Sequence, residues 1–505
     1  MFKDHPKGLY VLFFTEMWER FGFYTVLAIF VLYLQENFHW DAATVGNIYG
    51  LFIAATFFLP LFGGMVSDRL LGYGKTILIG ACTSGIGYTM LAIPTKAPAL
   101  LFASLAVIAV GNGLFKPNTY VLVGNLYASR RDASGHVDGS LKDAAFNIFY
   151  MGINLGAFLG PIAAAATKNY MLEHFHITLA HAYNAAFGVC AIGLAISVVI
   201  FLTFRKHYSM ADYRTKDAHA PKEEVVLTKP QERERIIALL IIFVIIIFFW
   251  MAYYQNGFTL TLFAKNYTAT QVGRFTFLLF DPISLLSIMA LILCVSGLFS
   301  KSVTMRLRII LGGVSAIALG AVCLKYFIFN PLNPISPESY QSFNPLFIIF
   351  LTPIIIGGFG WLNRKHKEPT SPGKIGLGMF VTALSFTIMV FASFGLPAPG
   401  STATFSRVDP YWLISSYFVI TVAELFLSPM GISFVSKVAP PRMKGMMMGG
   451  WFAGQAVGSY LAGFVGRFYV ELQLWQFFLI LVFASLVSAA LIFAFLKKLK
   501  HASEN

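Results

Sequence analysis

Three ionisable side chains, Glu16, Glu19 and Arg20, lie inside one long apolar stretch near the start of the sequence. On a helix they share one face, and Tyr24 lies one turn further along the same stripe. Charged groups at membrane depth are rare and mark substrate or proton pathways. The glutamates could bind and release protons, and the arginine could bind an anion. We therefore predict that this helix face points towards protein or a water-filled cavity.

The composition of this 505-residue chain supports a membrane setting. Hydrophobic residues make up 57% of the chain, aromatic residues 16% and charged residues 12%, and the mean hydropathy is +0.70, far from the balance of a soluble domain. A transmembrane helix needs roughly 20 mainly apolar residues, and about fourteen such segments can be identified. They start near residues 9, 43, 76, 98, 142, 181, 235, 275, 306, 343, 374, 411, 446 and 474. The sequence predicts an all-α polytopic membrane protein.

Lysine and arginine are unevenly divided among the connections between these segments. If all the segments span the membrane, every connection rich in these residues lies on one side, and the positive-inside rule places that side and both chain termini in the cytoplasm. The predicted location is the cytoplasmic (inner) membrane. The formal net charge of +14 then reflects topology and contact with membrane lipid, and no nucleic-acid partner is predicted.

Cysteines and histidines do not indicate a metal or redox site. The four cysteines lie in apolar segments, where they pack as small hydrophobic residues, and the ten histidines are scattered without the spacing of a ligand set. No nucleophile with a base and no phosphate-binding loop stands out. We expect no cofactor, no metal and no enzymatic activity.

The longest polar stretch, 205–235, separates six predicted spans from eight and is interpreted as a cytoplasmic linker. We expect an N-terminal six-helix bundle at 1–204 and a C-terminal bundle at 236–505. This layout resembles that of major facilitator transporters, in which the substrate site lies at mid-depth between two related halves.

The segment at 63–75 resembles the signature of this superfamily between spans 2 and 3. Its glycines permit close helix packing, and Asp68 and Arg69 can pair or cap helix ends on the cytoplasmic side. We identify Asp68 and Arg69 as a conformational motif. A solvated charged loop is the alternative interpretation.

A more specific resemblance rests on five motifs. The ExxERFxxY run at 16–24 resembles the first-helix signature of the proton-dependent oligopeptide transporters, and the runs at 63–77 and 146–156 resemble two further signatures of that family. The GNGLFKPN run at 111–118 resembles the fourth-helix motif, and ELFLSPMG at 424–431 the tenth-helix motif. The resemblance covers nearly the whole chain. It implies a proton-coupled symporter that imports di- and tripeptides by alternating access.

The resemblance also implies a site with two opposite charges, because a dipeptide is zwitterionic. Arg20 and Lys116 would bind its carboxylate, Glu424 and Asn344 its amino group, and Asn154 a backbone polar group. The implied pocket wall is formed by Tyr24, Trp250, Ser428 and Trp451. Aromatic faces of this kind pack against varied side chains.

Proton coupling would rest on Glu16 and Glu19. The resemblance assigns Glu16 and Lys116 as a proton-linked pair, and Glu19 and Arg20 as partners that a substrate carboxylate can compete with. Movement of either cation between states would change the proton affinity of the glutamates. A static ion-pair cluster on the first helix, or snorkelling of Lys116 to the membrane surface, is the structural alternative.

The second half of the implied site has structural alternatives as well. Glu424 precedes Pro429, whose kink frees backbone carbonyls, so a local hydrogen-bonding role is open to it. Trp250 and Trp451 could be ordinary core aromatics.

Some positions depart from the family pattern. Phe23 and Phe57 stand where tyrosines are frequent, and Leu27 where many members have an arginine. Tyr253 and Tyr254 stand where an acidic residue is frequent, so the ion pair common between spans 1 and 7 is missing. We expect a more apolar pocket and an outer gate that closes by packing or hydrogen bonds.

An extra transmembrane hairpin is predicted at about 275–329, with a basic tip that includes Lys301. Asp281 and Lys325 would lie at similar depth near its outer end. They could form an ion pair or snorkel separately.

Other functions remain open at the level of sequence. A pocket altered in this way could favour another small zwitterion or anion, such as an amino acid, nitrate or a peptide-like compound. A nutrient sensor without net transport is a further possibility. The predicted partners are di- and tripeptides, protons and membrane lipid, and no oligomeric state is predicted.

Overall fold

The computed structural model of the protein describes residues 5–127, 139–212, 228–299, 303–401, 403–440 and 443–504. Its secondary structure is almost entirely helical, as the sequence predicts. The sheet found in these ranges is one antiparallel pair of two-residue strands, β1 (Gln271–Val272) and β2 (Asn333–Pro334). Of the predicted features, linker residues 213–227 and the hairpin-tip residue Lys301 lie outside the described ranges.

The first helix set comprises α1 (Lys7–Phe38), α2 (Ala42–Phe58), α3 (Pro60–Val66), α4 (Tyr73–Ala92), α5 (Pro98–Asn125), α6 (Gly139–Phe175) and α7 (Leu179–Thr203). Local sequence sets several boundaries. Asp41 accepts a hydrogen bond from the Thr44 N–H and starts α2, and His39 ends α1 in the left-handed region at φ 55°. Helix α1 packs against α6 and α7, and α4 packs against α5 and α7.

The second helix set comprises α8 (Lys229–Tyr253), α9 (Thr259–Asn266), α10 (Arg274–Phe277), α11 (Pro282–Leu298), α12 (Met305–Ile328), α13 (Phe343–Arg364), α14 (Ser371–Ser393), α15 (Tyr411–Val438), α16 (Lys444–Gly466), α17 (Phe468–Glu471), α18 (Leu474–Ala494) and α19 (Leu496–Glu504). Helix α14 packs against α15 and α18, while α16 contacts both α8 of its own set and α2 of the first set. A Cβ at Gly463 would collide with the backbone of Gly46, so this crossing needs glycine.

Eleven helices in the described ranges are long and apolar enough to cross a membrane. The sequence predicts about fourteen such segments. The other three correspond to α4, α11 and α16, of which α11 is a shorter apolar helix. The multi-pass architecture is therefore confirmed, while the exact number of spans stays a prediction.

The predicted hairpin is formed by α11 and α12, which pack against each other. It begins at Pro282 and not near 275, because the Asp281 carboxylate accepts a hydrogen bond from the Ser284 N–H and starts a new helix there. Asp281 also pairs with Lys325, with 3.1 Å between Oδ1 and Nζ. The predicted alternative of an ion pair is thus confirmed.

Polar contacts join the two helix sets on one side of the molecule, which we call the distal face. It is the side on which α1 and α6 end and α2 begins; the opposite side, where α1 and α8 begin, is the terminal face. At the distal face, Lys265 of α9 donates to Gln35 of α1, and Gln341 donates to the Ala28 carbonyl.

An ion pair between Lys168 and Glu338 also joins the two sets at the distal face. The distal face is therefore joined by an ion pair as well as by hydrogen bonds, and the expectation for the outer gate stays a prediction. The sequence did not indicate this pair, because its members are 170 residues apart and lie outside the motifs.

Candidate functional site

A cluster of charges is centred on Arg20 of α1. The guanidinium donates two hydrogen bonds to Glu19, at 2.5 Å from Nε and 2.7 Å from Nη2. The Glu16 Oε1 atom lies 3.6 Å from the same Nε. All three side chains are buried, with Arg20 4% exposed and both glutamates fully buried. Two carboxylates therefore share one guanidinium in a place from which water is excluded.

Helix α5 supplies neutral donors to the same carboxylates. The Asn112 amide donates to Glu19 Oε1 at 3.3 Å, and the Thr119 hydroxyl donates to Glu16 Oε2 at 2.9 Å. Neither residue was predicted from the sequence as a site residue. Their signal was present, because positions 112, 116 and 119 follow the i, i+4, i+7 spacing of one face of a helix that is otherwise mostly apolar.

Lys116, which the resemblance links with Glu16 in proton coupling, does not lie within ion-pair distance of that carboxylate. Its ammonium lies 4.3 Å from the centre of the Phe57 ring, and no carboxylate of the described ranges is within 4.0 Å of it. Arg20 similarly lies 4.9 Å from the Phe23 ring centre. Both phenylalanines that depart from the family pattern thus contact a cation of the site. We call Glu16, Glu19, Arg20, Asn112, Lys116 and Thr119 the Arg20 cluster.

A second cluster is centred on Glu424 of α15. The Asn344 amide donates to Glu424 Oε2 at 2.9 Å and to the Thr421 hydroxyl oxygen at 3.0 Å, and the Tyr253 hydroxyl donates to Asn344 Oδ1 at 3.3 Å. Glu424 is 8% exposed. Within the described ranges no cation lies within 4.0 Å of its carboxylate. We call Glu424, Asn344, Thr421 and Tyr253 the Glu424 cluster.

Thr421 and Tyr253 were not predicted as site residues. Thr421 precedes Glu424 by three positions on α15, so the helical period could have indicated it. The contact of Tyr253 with Asn344 joins residues 91 positions apart. No sequence spacing indicates such a contact.

Two predicted wall residues carry polar atoms without a hydrogen-bond partner in the described ranges. These are the indole N–H of Trp250 and the hydroxyl of Ser428, both buried. Ser428 follows Glu424 by one helical turn, and Trp250 stacks on Tyr254 with ring centres 5.7 Å apart. Such atoms can donate to a bound molecule.

The other three predicted residues, Tyr24, Asn154 and Trp451, have different surroundings. Tyr24 is half-buried and lies one helical turn after Arg20 on α1. Asn154 is buried and donates to the Tyr150 carbonyl of its own helix at 2.9 Å. Trp451 is 1% exposed.

The contacts of Trp451 and Asn154 differ from those of the residues in the two clusters. The Trp451 ring packs directly on the backbone at Gly431. Within the described ranges, no hydrogen bond joins Trp451 or Asn154 to another predicted site residue.

Asp68 and Arg69 lie in a π-helical turn, Ser67–Leu71, at the terminal face. Asp68 accepts a hydrogen bond from the Tyr73 hydroxyl at 2.7 Å, and the two motif residues are not within ion-pair distance of each other. The carboxylate that bonds the N-terminus of α4 is Asp212, through the Gly74 N–H at 2.8 Å. Of the two expected contacts, an ion pair or a helix cap, the described structure forms neither.

The described ranges contain no group of three or more His, Cys, Asp or Glu side chains that could hold a metal ion. The side chains of both clusters are groups that can form ion pairs and hydrogen bonds. The Arg20 cluster offers a guanidinium and a half-buried ammonium, and the Glu424 cluster offers a carboxylate.

Family models match two long parts of the sequence. The model of the Major Facilitator Superfamily matches residues 12–363, and the model of the POT family matches residues 329–478.

Similar curated proteins cover most of the chain. The "Uncharacterized transporter YclF" of Bacillus subtilis is 29% identical over 494 residues, with 92% of this chain and 88% of that protein covered. The "Dipeptide and tripeptide permease B" of Xenorhabdus bovienii is 29% identical over 474 residues, with 92% and 87% covered.

Solved structures match the whole fold. A crystal structure of the peptide transporter POT in complex with sulfate has a TM-score of 0.75 and 26% identity, and covers 100% of this chain and 97% of that one. A crystal structure of a POT family transporter in complex with 5-aminolevulinic acid has a TM-score of 0.67 and 26% identity, with 99% and 98% covered.

Proposed function

Since the chain belongs to the POT family of the major facilitator superfamily, we propose that it is a symporter that imports di- and tripeptides together with protons. The family is one of membrane transporters and not of enzymes. In this proposal the terminal face is cytoplasmic, the chain lies in the cytoplasmic membrane, and 1–204 and 236–505 form two bundles joined by the linker 205–235.

The observation that carries the proposal is the contrast between the two clusters. A dipeptide at neutral pH has a carboxylate at one end and an ammonium at the other. Arg20 and Lys116 offer cations, and Lys116 is held by an aromatic face and not by a carboxylate, so it is free to pair with an anion. Glu424 is a buried carboxylate whose partners are neutral. An ammonium would give it the counter-charge that it lacks.

The Arg20 cluster also supports proton coupling. A substrate carboxylate that binds Arg20 competes with Glu19, which now holds two hydrogen bonds from the guanidinium. Three carboxylates would then share the cations of the cluster. A proton that adds to Glu16 or Glu19 removes one negative charge and restores the balance. Binding of a peptide would therefore raise the affinity for a proton, and binding of a proton would raise the affinity for the peptide.

Asn154, Trp250, Ser428 and Trp451 complete the proposed pocket in different ways. The unpaired donors of Trp250 and Ser428 favour hydrogen bonds to the peptide backbone. Asn154 would have to give up its bond to Tyr150 to bind substrate through its amide. Trp451 would shape the pocket through packing.

Substrate-dependent proton uptake tests this function. The full-length protein is reconstituted in proteoliposomes that contain a pH-sensitive dye, and dialanine, trialanine, single amino acids or nitrate are added outside. We expect acidification of the lumen with the two peptides. Acidification with an amino acid or nitrate alone would favour a different substrate, and no acidification with any compound would contradict symport.

A Glu16→Gln variant tests the proton assignment. We expect it to lose uptake driven by a pH gradient, because the amide cannot take up a proton. The Lys325→Met variant, which alters an ion pair in the hairpin, serves as a control for general damage by charge removal. Full gradient-driven uptake by Glu16→Gln would contradict the assignment.

A further inference from the structure

The ion pair at the distal face joins two elements that are far apart in the chain. Lys168 lies near the end of α6, and Glu338 lies in a short 3₁₀ segment, Pro337–Ser342, that leads directly into α13. The distance from Nζ to Oε1 is 2.6 Å. Lys168 is 7% exposed and Glu338 is fully buried. The pair therefore holds the first helix set against the second in a place that water does not reach.

Hydrogen bonds extend this contact on both sides. The Lys168 ammonium also donates to the Ser336 hydroxyl at 3.1 Å, and the Asn169 amide lies 3.4 Å from the same oxygen. Ser342 donates to the Phe158 carbonyl at 3.3 Å, and Gln341 donates to Thr261 at 3.0 Å. The segment before α13 is thus fixed to α6 at both of its ends, and to α9 through Gln341.

The stability of this ion pair depends on how close the two helix sets are, because both of its charges are buried. Each ion of a buried pair is stable there only because the other is present, whereas both are stable when hydrated. Alternating access requires the two helix sets to part at one face and then at the other. If α6 and the segment before α13 part, water reaches both ions, and neither is left buried alone.

We propose that the Lys168–Glu338 ion pair stabilises the closed state of the distal face, and that the pair breaks when this face opens. The proposal rests on the alternating access proposed above, but it does not depend on which substrate is carried or on proton coupling.

The test measures the distance across the distal face in full-length protein. The four native cysteines are first replaced by serine, and spin labels are attached at positions 96 and 406. Lys96 lies in the α4–α5 connection and Ser406 in the α14–α15 connection, and both side chains are exposed. Double electron–electron resonance in lipid nanodiscs, without substrate, then gives the fractions of molecules closed and open at this face.

Removal of one charge leaves the other buried and unpaired in the closed state. We expect Lys168→Met and Glu338→Gln each to raise the ratio of open to closed molecules about tenfold or more. The double variant Lys168→Glu with Glu338→Lys should return the ratio to near that of the parent protein, because the pair is restored with reversed charges. A variant that fails to fold is identified by gel filtration, and the charge-reversed protein then decides the test.

The chain offers a matched control for this experiment. Lys325 and Asp281 also form an ion pair, but it lies within the hairpin of the second helix set. Lys325→Met should leave the ratio within about twofold of the parent, since its pair does not join the two sets. The proposal is overturned if Lys168→Met and Glu338→Gln change the ratio no more than Lys325→Met does. It is also overturned if the charge-reversed variant stays as open as the single variants.

Dialanine uptake by the parent protein is measured separately. Failure of uptake would count against the proposed function, while the distance distributions would still decide the role of the pair. The two proposals can therefore fail independently.

Discussion

The Arg20 cluster and the Glu424 cluster solve the problem of a buried carboxylate in different ways. In the Arg20 cluster two carboxylates share one guanidinium, with a lysine nearby that pairs with neither. In the Glu424 cluster one carboxylate accepts from the Asn344 amide, and the hydroxyl groups of Thr421 and Tyr253 bond that amide in turn. The first arrangement can exchange partners, because several charges compete for each other. The second has a fixed geometry and one unmatched charge.

This difference suggests a division of tasks. A network of competing charges responds strongly when one charge is added or removed, as proton coupling requires. A single carboxylate held in place by neutral donors presents a constant site for a cation. Substitutions in the two clusters should therefore differ both in the size and in the kind of their effects.

The largest effect is expected for Arg20→Ala. It removes the only guanidinium that contacts Glu16 and Glu19 in the described structure, and leaves two buried carboxylates without it. Peptide uptake into proteoliposomes should fall about 100-fold or more. Arg20→Lys should lose less of the uptake, because it keeps the positive charge. It should still lose some, because an ammonium cannot form the bidentate contact with Glu19. Uptake by Arg20→Ala within threefold of the parent protein would contradict the site.

Glu424→Gln should show a smaller effect that depends on the substrate. It removes the charge that would bind the amino group, so the affinity for dialanine should fall about tenfold to 100-fold. The affinity for N-acetylated dialanine, which lacks that charge, should change much less. Competition against a labelled peptide measures both affinities. Thr421→Val, which alters the same cluster without a charge, is the control, and equal losses for both peptides would argue against an ammonium site.

Thr119→Val tests whether the Thr119 hydroxyl adjusts the proton affinity of Glu16. The Thr119 hydroxyl donates to Glu16 at 2.9 Å, and the Lys116 carbonyl oxygen lies 3.0 Å away as another acceptor. The hydroxyl can thus donate to an ionised Glu16, or accept from a protonated one while donating to the carbonyl. We expect gradient-driven accumulation to fall about tenfold, since a hydrogen bond to a charged group is worth roughly 1.5–3 kcal/mol. Peptide counterflow, which needs no net proton movement, should stay within about twofold of the parent.

Two further variants make the Thr119 experiment specific. Thr119→Ser keeps the hydroxyl and should behave like the parent protein. Thr25→Val also removes a buried hydroxyl, but one that donates to backbone carbonyls of Phe21 and Gly160 and not to a carboxylate. Equal effects of Thr119→Val and Thr25→Val, or equal losses of accumulation and counterflow, would show that Thr119 acts only through packing.

Phe57→Leu should have the smallest effect of the four. It removes the aromatic face that lies 4.3 Å from the Lys116 ammonium. A contact of this kind contributes about 0.5–1 kcal/mol where water has partial access, so peptide affinity should change about twofold to fivefold. Phe57→Tyr retains the ring and should bind peptide like the parent protein. A larger loss in Phe57→Tyr than in Phe57→Leu would argue against this contact.

Much of the fold could be predicted from the sequence. Most predicted segment starts lie within a few residues of the observed helices, because apolar runs of membrane length are long and their ends carry polar caps. The main error was at the hairpin, where the apolar run begins before Asp281 but the helix starts after it. The Asp281 carboxylate, which caps the helix, fixes the position of the helix start, and a hydropathy profile does not detect a capping residue.

The site was predicted only in part, and the reason is again physical. Glu16, Glu19, Arg20 and Glu424 could be selected because charged residues in apolar segments are rare. Among the neutral members, Asn344 was selected only through the resemblance, whereas Asn112 and Thr421 look like ordinary polar residues of a membrane helix. Their importance follows from the carboxylate beside them, and that neighbour belongs to another helix or to another turn.

The sequence by itself determined that the protein is a multi-pass helical membrane protein, which helix faces carry its charges, and which family it resembles. These features depend on composition and on the period of the helix, and both are local. Only the tertiary structure decided which partner each charge has: Lys116 faces Phe57 and not Glu16, Thr119 bonds Glu16, and Lys168 pairs with Glu338. The helical period fixes which residues share a face, but it does not fix which face of a distant helix they meet. That depends on how whole helices rotate and pack to bury their surfaces together.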